Sequence, residues 1–146
     1  MKKEKGFTLI ELLVVISIIG VLAGLASFNF QQARERSRDV QRKSDLKQIQ
    51  NALELYKNDQ RIQAYPDTAT WENELVDGGY MKEIPVDPRE QRTEGSWVDY
   101  VYTLDVGDSL KYTIISCLEN ESDISKDEID NEVVCTQGAS YTLMEP

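Results

Sequence analysis

The sequence predicts an α+β chain: a long N-terminal α-helix, membrane-spanning in its first half and amphipathic in its second, packed on a small antiparallel β-sheet head. Three observations carry this. Phe7 to Phe30 is a run of 24 residues whose only ionisable side chain is Glu11. From Gln31 to about Asp59 neither Gly nor Pro interrupts the chain, and apolar residues recur at helical spacing. Beyond residue 96, stretches rich in aromatic and β-branched residues alternate with turn residues.

The chain has 146 residues, enough for one modest core. Its 16 basic and 26 acidic side chains leave a net charge of -10. Phosphates repel such a surface, so nucleic acid is a poor partner. No His is present, which removes the usual neutral-pH base and the commonest zinc ligand. Two Cys are too few for a four-thiolate metal site. With no activated nucleophile signature and no Gly-rich phosphate loop either, the sequence predicts no enzyme and no small-molecule substrate. The charge is unevenly spread: residues 31–61 hold eight basic and five acidic side chains, whereas residues 62–146 hold five and nineteen. Four segments follow from these patterns: 1–6, 7–30, 31–61 and 62–146.

As a helix, segment 7–30 is about 36 Å long, enough to cross a bilayer. Ala23, Ala26 and Ser27 offer a small-residue cut site of the signal-peptide kind, but the helical pattern continues past them. Lys2, Lys3 and Lys5 precede the span and favour a cytoplasmic N-terminus; Arg34, Arg36, Arg38, Arg42 and Lys43 follow it and favour the reverse. Charge counting alone leaves orientation open. Glu11 costs roughly 2.5–3.5 kcal/mol at a helix centre in the membrane, less near an end. It is either tolerated near the headgroups or paired. No basic residue lies within one turn of it, so a basic partner must come from another chain or segment. Gly20 and Gly24 form a small-xxx-small pair suited to close helix packing or to local unwinding, although membrane helices also carry Gly with no packing role.

In segment 31–61 the apolar positions are Ala33, Val40, Leu46, Ile49, Leu53 and Tyr56, spaced 3, 4, 3 from Leu46 onwards. Asp39 with Lys43 and Arg42 with Asp45 are spaced as intrahelical ion pairs. The two halves make one helix from Phe7 to about residue 59, roughly 80 Å long. The stripe falls short of three clear heptads, which argues against a coiled coil. The basic cluster Arg34–Lys43 is either a solvated or salt-bridged face, or a surface for the acidic head of a neighbouring subunit.

In the head, Thr70 is placed to cap a short helix from Trp71 to about Asp77, stopped by Gly78-Gly79. The Pro85 and Pro88 steps make the next stretch extended. Strands are expected over Trp97–Leu104, Leu110–Cys117, Val133–Cys135 and Ala139–Met144, three or four in all. Cys117 and Cys135 close a loop as a disulfide or stand as two buried thiols. The acidic run between them reads as solvated surface, or as calcium ligands drawn from Asp123, Asp127, Asp130 and Glu132, without EF-hand spacing.

A basic leader ending in Gly6, then Phe7-Thr8-Leu9-Ile10-Glu11 and an apolar run, resembles the start of type IV pilins and pseudopilins. The resemblance implies a prepilin peptidase that cuts between Gly6 and Phe7 and methylates the new amine. It also implies a homopolymer stacked through N-terminal helices, with Phe7, Glu11, Gly20 and Gly24 at the assembly contacts and Glu11 facing the Phe7 amine of a neighbour. An inner-membrane assembly platform, an extracytoplasmic head and a periplasmic or extracellular filament come with it. Tyr65-Pro66 and the Gly79-Tyr80 to Pro85-Val86-Asp87-Pro88 stretch resemble the connecting loop of the major pseudopilin of type II secretion, whose C-terminal loop binds calcium. The cysteine pair instead resembles type IV pilins, which often close a C-terminal loop this way. The implied function is a filament subunit, most like a major pseudopilin of type II secretion. The alternatives are a surface pilin serving adhesion, motility or DNA uptake, and a membrane-anchored binding domain.

Overall fold

The computed structural model describes residues 6–89, 98–128, 131, 133–136 and 138–146, apart from the side chains of 26–29. Its elements are α1 (Leu9–Asp59), α2 (Trp71–Asp77), β1 (Val101–Leu104), β2 (Tyr112–Leu118) and β3 (Ala139–Met144). The fold is α+β, a long N-terminal helix with a small antiparallel sheet. The chain divides into two compact units, Met1–Glu35 and Arg36–Pro146.

In the first unit α1 begins at Leu9, two residues later than the apolar run suggests, because Thr8 serves as its N-terminal cap. The helix is long and apolar enough to cross a membrane. Its apolar side chains, from Leu9 through Leu25, are exposed. Such a surface is stable only against lipid or other apolar helices.

In the second unit the remainder of α1 carries the stripe Leu46, Ile49, Ala52 and Leu53, all buried, with Tyr56 half-buried. These pack with Tyr65, Trp71, Leu75, Tyr100, Tyr102, Tyr112 and Ile114 as the main core. Full burial of one Leu or Ile contributes about 1.5–3 kcal/mol, so the stripe is what fixes α1 to the sheet. Two expected stripe members fall outside it: Val40 is 67% exposed and Ala33 is exposed. Counting back from Ile49 and Leu46 at helical spacing reaches Arg42 and Asp39 instead, and both are buried.

The sheet order is β1-β2-β3, antiparallel throughout, with Val101 opposite Ile115, and Ile115 opposite Thr142. The central strand is buried on both faces. Tyr112 and Ile114 face the main core, while Ile115 and Cys117 face a second cluster with Val134 and Cys135. Aromatic rings connect the layers: Trp71 lies 5.2 Å from Tyr102, and Tyr112 lies 4.5 Å from Tyr65. Among the described residues the sheet has three strands. Val133–Cys135 is a turn rather than a strand, in which the N–H groups of Val134 and Cys135 both donate to the Asn131 carbonyl. Ordered strand begins at Val101, and the expected start at Trp97 lies outside the described residues.

The short helix falls where the sequence places it, but Thr70 does not cap it through the backbone; its hydroxyl donates to the Glu74 carboxylate instead. At the other end Gly79 adopts φ 74°, the left-handed conformation that ends a helix most readily at Gly. Gly78 is needed for a different reason: a Cβ there would lie 2.6 Å from the Glu74 carbonyl oxygen.

Candidate functional site

In the first unit Gly6 and Phe7 are exposed, and nothing lies within 4 Å of where a Cβ on Gly6 would stand. The peptide bond between them is therefore sterically open. Glu11 Oε2 accepts from the Thr8 backbone N–H at 2.8 Å and from the Thr8 hydroxyl at 2.6 Å. In return the Glu11 N–H donates to Thr8 Oγ1 at 3.3 Å. This is a reciprocal capping box, in which Thr and Glu three residues apart satisfy otherwise orphaned helix N–H groups. The carboxylate thus has polar partners in its own chain, which a search for basic neighbours alone overlooks; the Thr-x-x-Glu spacing was the available signal. Gly20 and Gly24 face open space, with nothing within 4 Å of either built Cβ. Both offer a flat strip of backbone to another helix.

In the second unit three carboxylates, Asp39, Asp87 and Glu119, converge on Arg42, which is 0% exposed. Its Nε donates to Asp87 Oδ2 at 2.6 Å and its Nη2 to Asp87 Oδ1 at 3.0 Å, a bidentate pair. Its Nη1 donates to Asp39 Oδ1 at 2.7 Å and to Glu119 Oε1 at 2.9 Å. Burial opposes the charged guanidinium, but the hydrogen bonds from Asp87, Glu119 and Asp39 outweigh it and raise its pKa further above the ordinary range. Arg38 makes a second fork to Glu119, at 2.6 and 2.5 Å. Burial works against the ionised Glu119, yet Arg38 and Arg42 hold its pKa below the usual carboxylate range. Asp39 also accepts from the backbone N–H groups of Glu119 and Asn120, both at 2.9 Å. One arginine on α1 thereby joins the helix, the Pro85–Pro88 loop and the loop after β2.

The intrahelical pairs expected from spacing give way to one other intrahelical pair and to longer-range contacts. Asp39 pairs with Arg42, not Lys43; Lys43 reaches Asp123 at 2.5 Å; and Asp45 accepts from the Tyr100 hydroxyl at 2.8 Å. Of the basic cluster, Arg38, Arg42 and Lys43 are salt-bridged within their own chain.

Cys117 and Cys135 form a disulfide with Cα atoms 5.4 Å apart. The calcium candidates are engaged separately. Asp123 serves Lys43, while Asp127 accepts from the Ser140 hydroxyl and from the N–H and hydroxyl of Thr142. Asp130 and Glu132 lie outside the described residues, among which no group of three or more acidic or cysteine side chains is placed to hold a metal.

Residues 1–27 match a family described as the prokaryotic N-terminal methylation motif. The match takes in the start of the exposed apolar helix and points to the class of prepilin-like, membrane-anchored subunits. The chain is 31% identical to type II secretion system core protein G of Escherichia coli (strain K12) over 142 residues, covering 88% of this chain and 91% of that protein. It is 36% identical over 100 residues to the core protein G of Aeromonas hydrophila, covering 60% of this chain and 68% of that one. No solved structure matches. The chain belongs to the type II secretion system core protein G family and is a pseudopilin, a subunit that polymerises into a filament after processing by prepilin peptidase.

Proposed function

We propose that this pseudopilin is a major subunit of a type II secretion filament, cut between Gly6 and Phe7, methylated on the Phe7 amine and stacked through its N-terminal helix. In this reading residues 1–6 are the leader, 7–30 the membrane and assembly half of α1, 31–61 its amphipathic half and 62–146 the head. Glu11 carries the proposal. It is the one carboxylate in an exposed apolar stretch, and it stands four residues beyond the proposed new amine. An ammonium and a carboxylate buried between neighbouring helices neutralise each other, and either alone is costly. Stacking is thereby held in register, while Gly20 and Gly24 permit close approach. The role is structural, with no catalytic residue assigned.

We place the N-terminus in the cytoplasm and the head outside, with an inner-membrane assembly platform extracting subunits into the filament. One observation supports this orientation: the disulfide suits an oxidising compartment.

Replacing Glu11 by Gln keeps shape and removes the charge. The expected outcome is processed, membrane-held, unassembled subunit with a mature chain beginning at Phe7 by intact mass. Wild-type filament yield from Glu11→Gln would refute the pairing, and a mature chain beginning elsewhere would refute the cut.

A further inference from the structure

The loop between β2 and β3 has little apolar material of its own. Ile124 and Val133 are exposed, and Val134 packs with Ile115 against the disulfide itself. Among the described residues, none from Glu119 to Thr136 belongs to the main core. The grip of this loop on α1 is ionic: Glu119 on Arg38 and Arg42, Asp123 on Lys43, and the N–H groups of Glu119 and Asn120 on Asp39. Each of these contacts lies within seven residues of Cys117. The side chains of Arg42, Asp39 and Glu119 are buried and Asp127 is tied to Ser140 and Thr142 of β3, so these contacts stand by themselves. The Lys43–Asp123 pair is half-exposed, and such a pair contributes little unless its geometry is held for it, as the covalent closure at Cys117–Cys135 does.

We infer that the Cys117–Cys135 disulfide is a redox latch: it keeps Asp123 of its loop on Lys43, and its reduction releases that stretch and uncovers the Lys43 ammonium while the buried Arg42 cluster and the main core stay folded. The chemistry is ordinary exchange. One thiolate of a dithiol reductant attacks a cystine sulfur, the S–S bond breaks and a mixed disulfide forms. The second reductant thiol then displaces it, so the protein gains two electrons and two protons as two thiols and the reductant becomes a disulfide. Without the cross-link the loop regains its conformational entropy, and local opening becomes more frequent by on the order of 100-fold. The latch itself does not rest on the filament reading.

The test uses the full-length protein in detergent micelles, oxidised and then treated with a dithiol. The rate of Lys43 acylation and the amide exchange of residues 121–126 report the loop; amide exchange at 49–53 and 112–116 reports the core. Reduction should raise Lys43 acylation and loop exchange by tenfold or more and leave core exchange within about twofold. The double variant Cys117→Ser/Cys135→Ser should reproduce this with no reductant. In the oxidised protein Asp123→Asn should raise Lys43 acylation alone. The inference is overturned if reduction changes neither loop reading, if core exchange rises equally, which would make the disulfide a staple for the whole head, or if Asp123→Asn leaves Lys43 protected.

Discussion

Replacing Arg42 by Met tests the central claim about the head. Met is long and apolar enough to occupy much of the space of the guanidinium stem, so the change isolates charge more than volume. It takes a cation from three carboxylates and strands two of them, Asp39 and Asp87, which are almost fully buried. Breaking one side of a buried ion pair costs about 3–5 kcal/mol. Arg42 serves three partners, two of them almost fully buried, and Glu119 keeps Arg38 and Arg89, so the upper part of that range is expected. At roughly 4 °C per kcal/mol for a unit of this size, the melting temperature of the head falls by about 16–20 °C.

The pH dependence separates this from mere loss of packing. In the native protein the pKa of Glu119 is lowered, so its contribution is present above the unfolded value and is lost as pH falls through the folded one. In Arg42→Met the stranded buried carboxylates acquire raised pKa values. Their folded form is then favoured below the unfolded value and penalised as pH rises, which reverses the slope. Denaturant unfolding of the full chain at pH 4.5 and pH 7.5 should show a variant closer to wild type at the lower pH. A variant within about 1 kcal/mol of wild type at both would refute the reasoning. Arg42→Lys, which keeps the charge but loses the fork, should fall between.

Other outcomes follow from the same geometry. Leu46→Ala empties a fully buried site on the α1 stripe and should cost about 2–5 kcal/mol by denaturant unfolding. Gly79→Ala puts a Cβ on a residue at φ 74° and should cost about 1–2 kcal/mol, with α2 otherwise unchanged by circular dichroism. The pKa of Asp123 is held low chiefly by Lys43, so carbonyl-shift titration should find it below an ordinary aspartate in the wild type and shifted back up in Lys43→Gln. Non-reducing peptide mapping of filaments should link Cys117 to Cys135, and two alkylatable thiols would count against the closed loop.

Periodicity made α1 legible almost to the residue, because the missing Gly and Pro and the 3, 4, 3 spacing act locally. The same periodicity, applied to apolar residues only, hid the ionic centre. Extended backwards, the stripe that includes Leu46 and Ile49 passes through Arg42 and Asp39, and a charged residue at a core position of an amphipathic helix is itself a signal for a buried partner. What spacing along a helix does not contain is which distant loop supplies that partner. Asp87 and Glu119 lie 45 and 77 residues away from Arg42, so the intrahelical pairs that spacing suggests lost to contacts made only by folding. Val133–Cys135 misled for a related reason. Its branched residues carry strand propensity, yet Cys135 must return to Cys117, and the disulfide bends the segment into a turn on Asn131.

The cysteine pair also drew the reading towards surface pilins while the connecting loop drew it towards secretion pseudopilins. The structure gives a physical reason why a core protein G relative contains such a pair. Its last loop is acidic, and its exposed Ile124 and Val133 add nothing to a core. Such a segment stays ordered only if something other than apolar burial opposes its chain entropy. Arg38 and Arg42 hold its start at Glu119, but further along only the half-exposed Lys43–Asp123 pair reaches α1, and such a pair holds a loop weakly. The disulfide supplies the rest by shrinking the unfolded ensemble of the loop. In this chain the cysteines therefore answer to the composition of the loop they close, and they do not mark which filament the subunit builds.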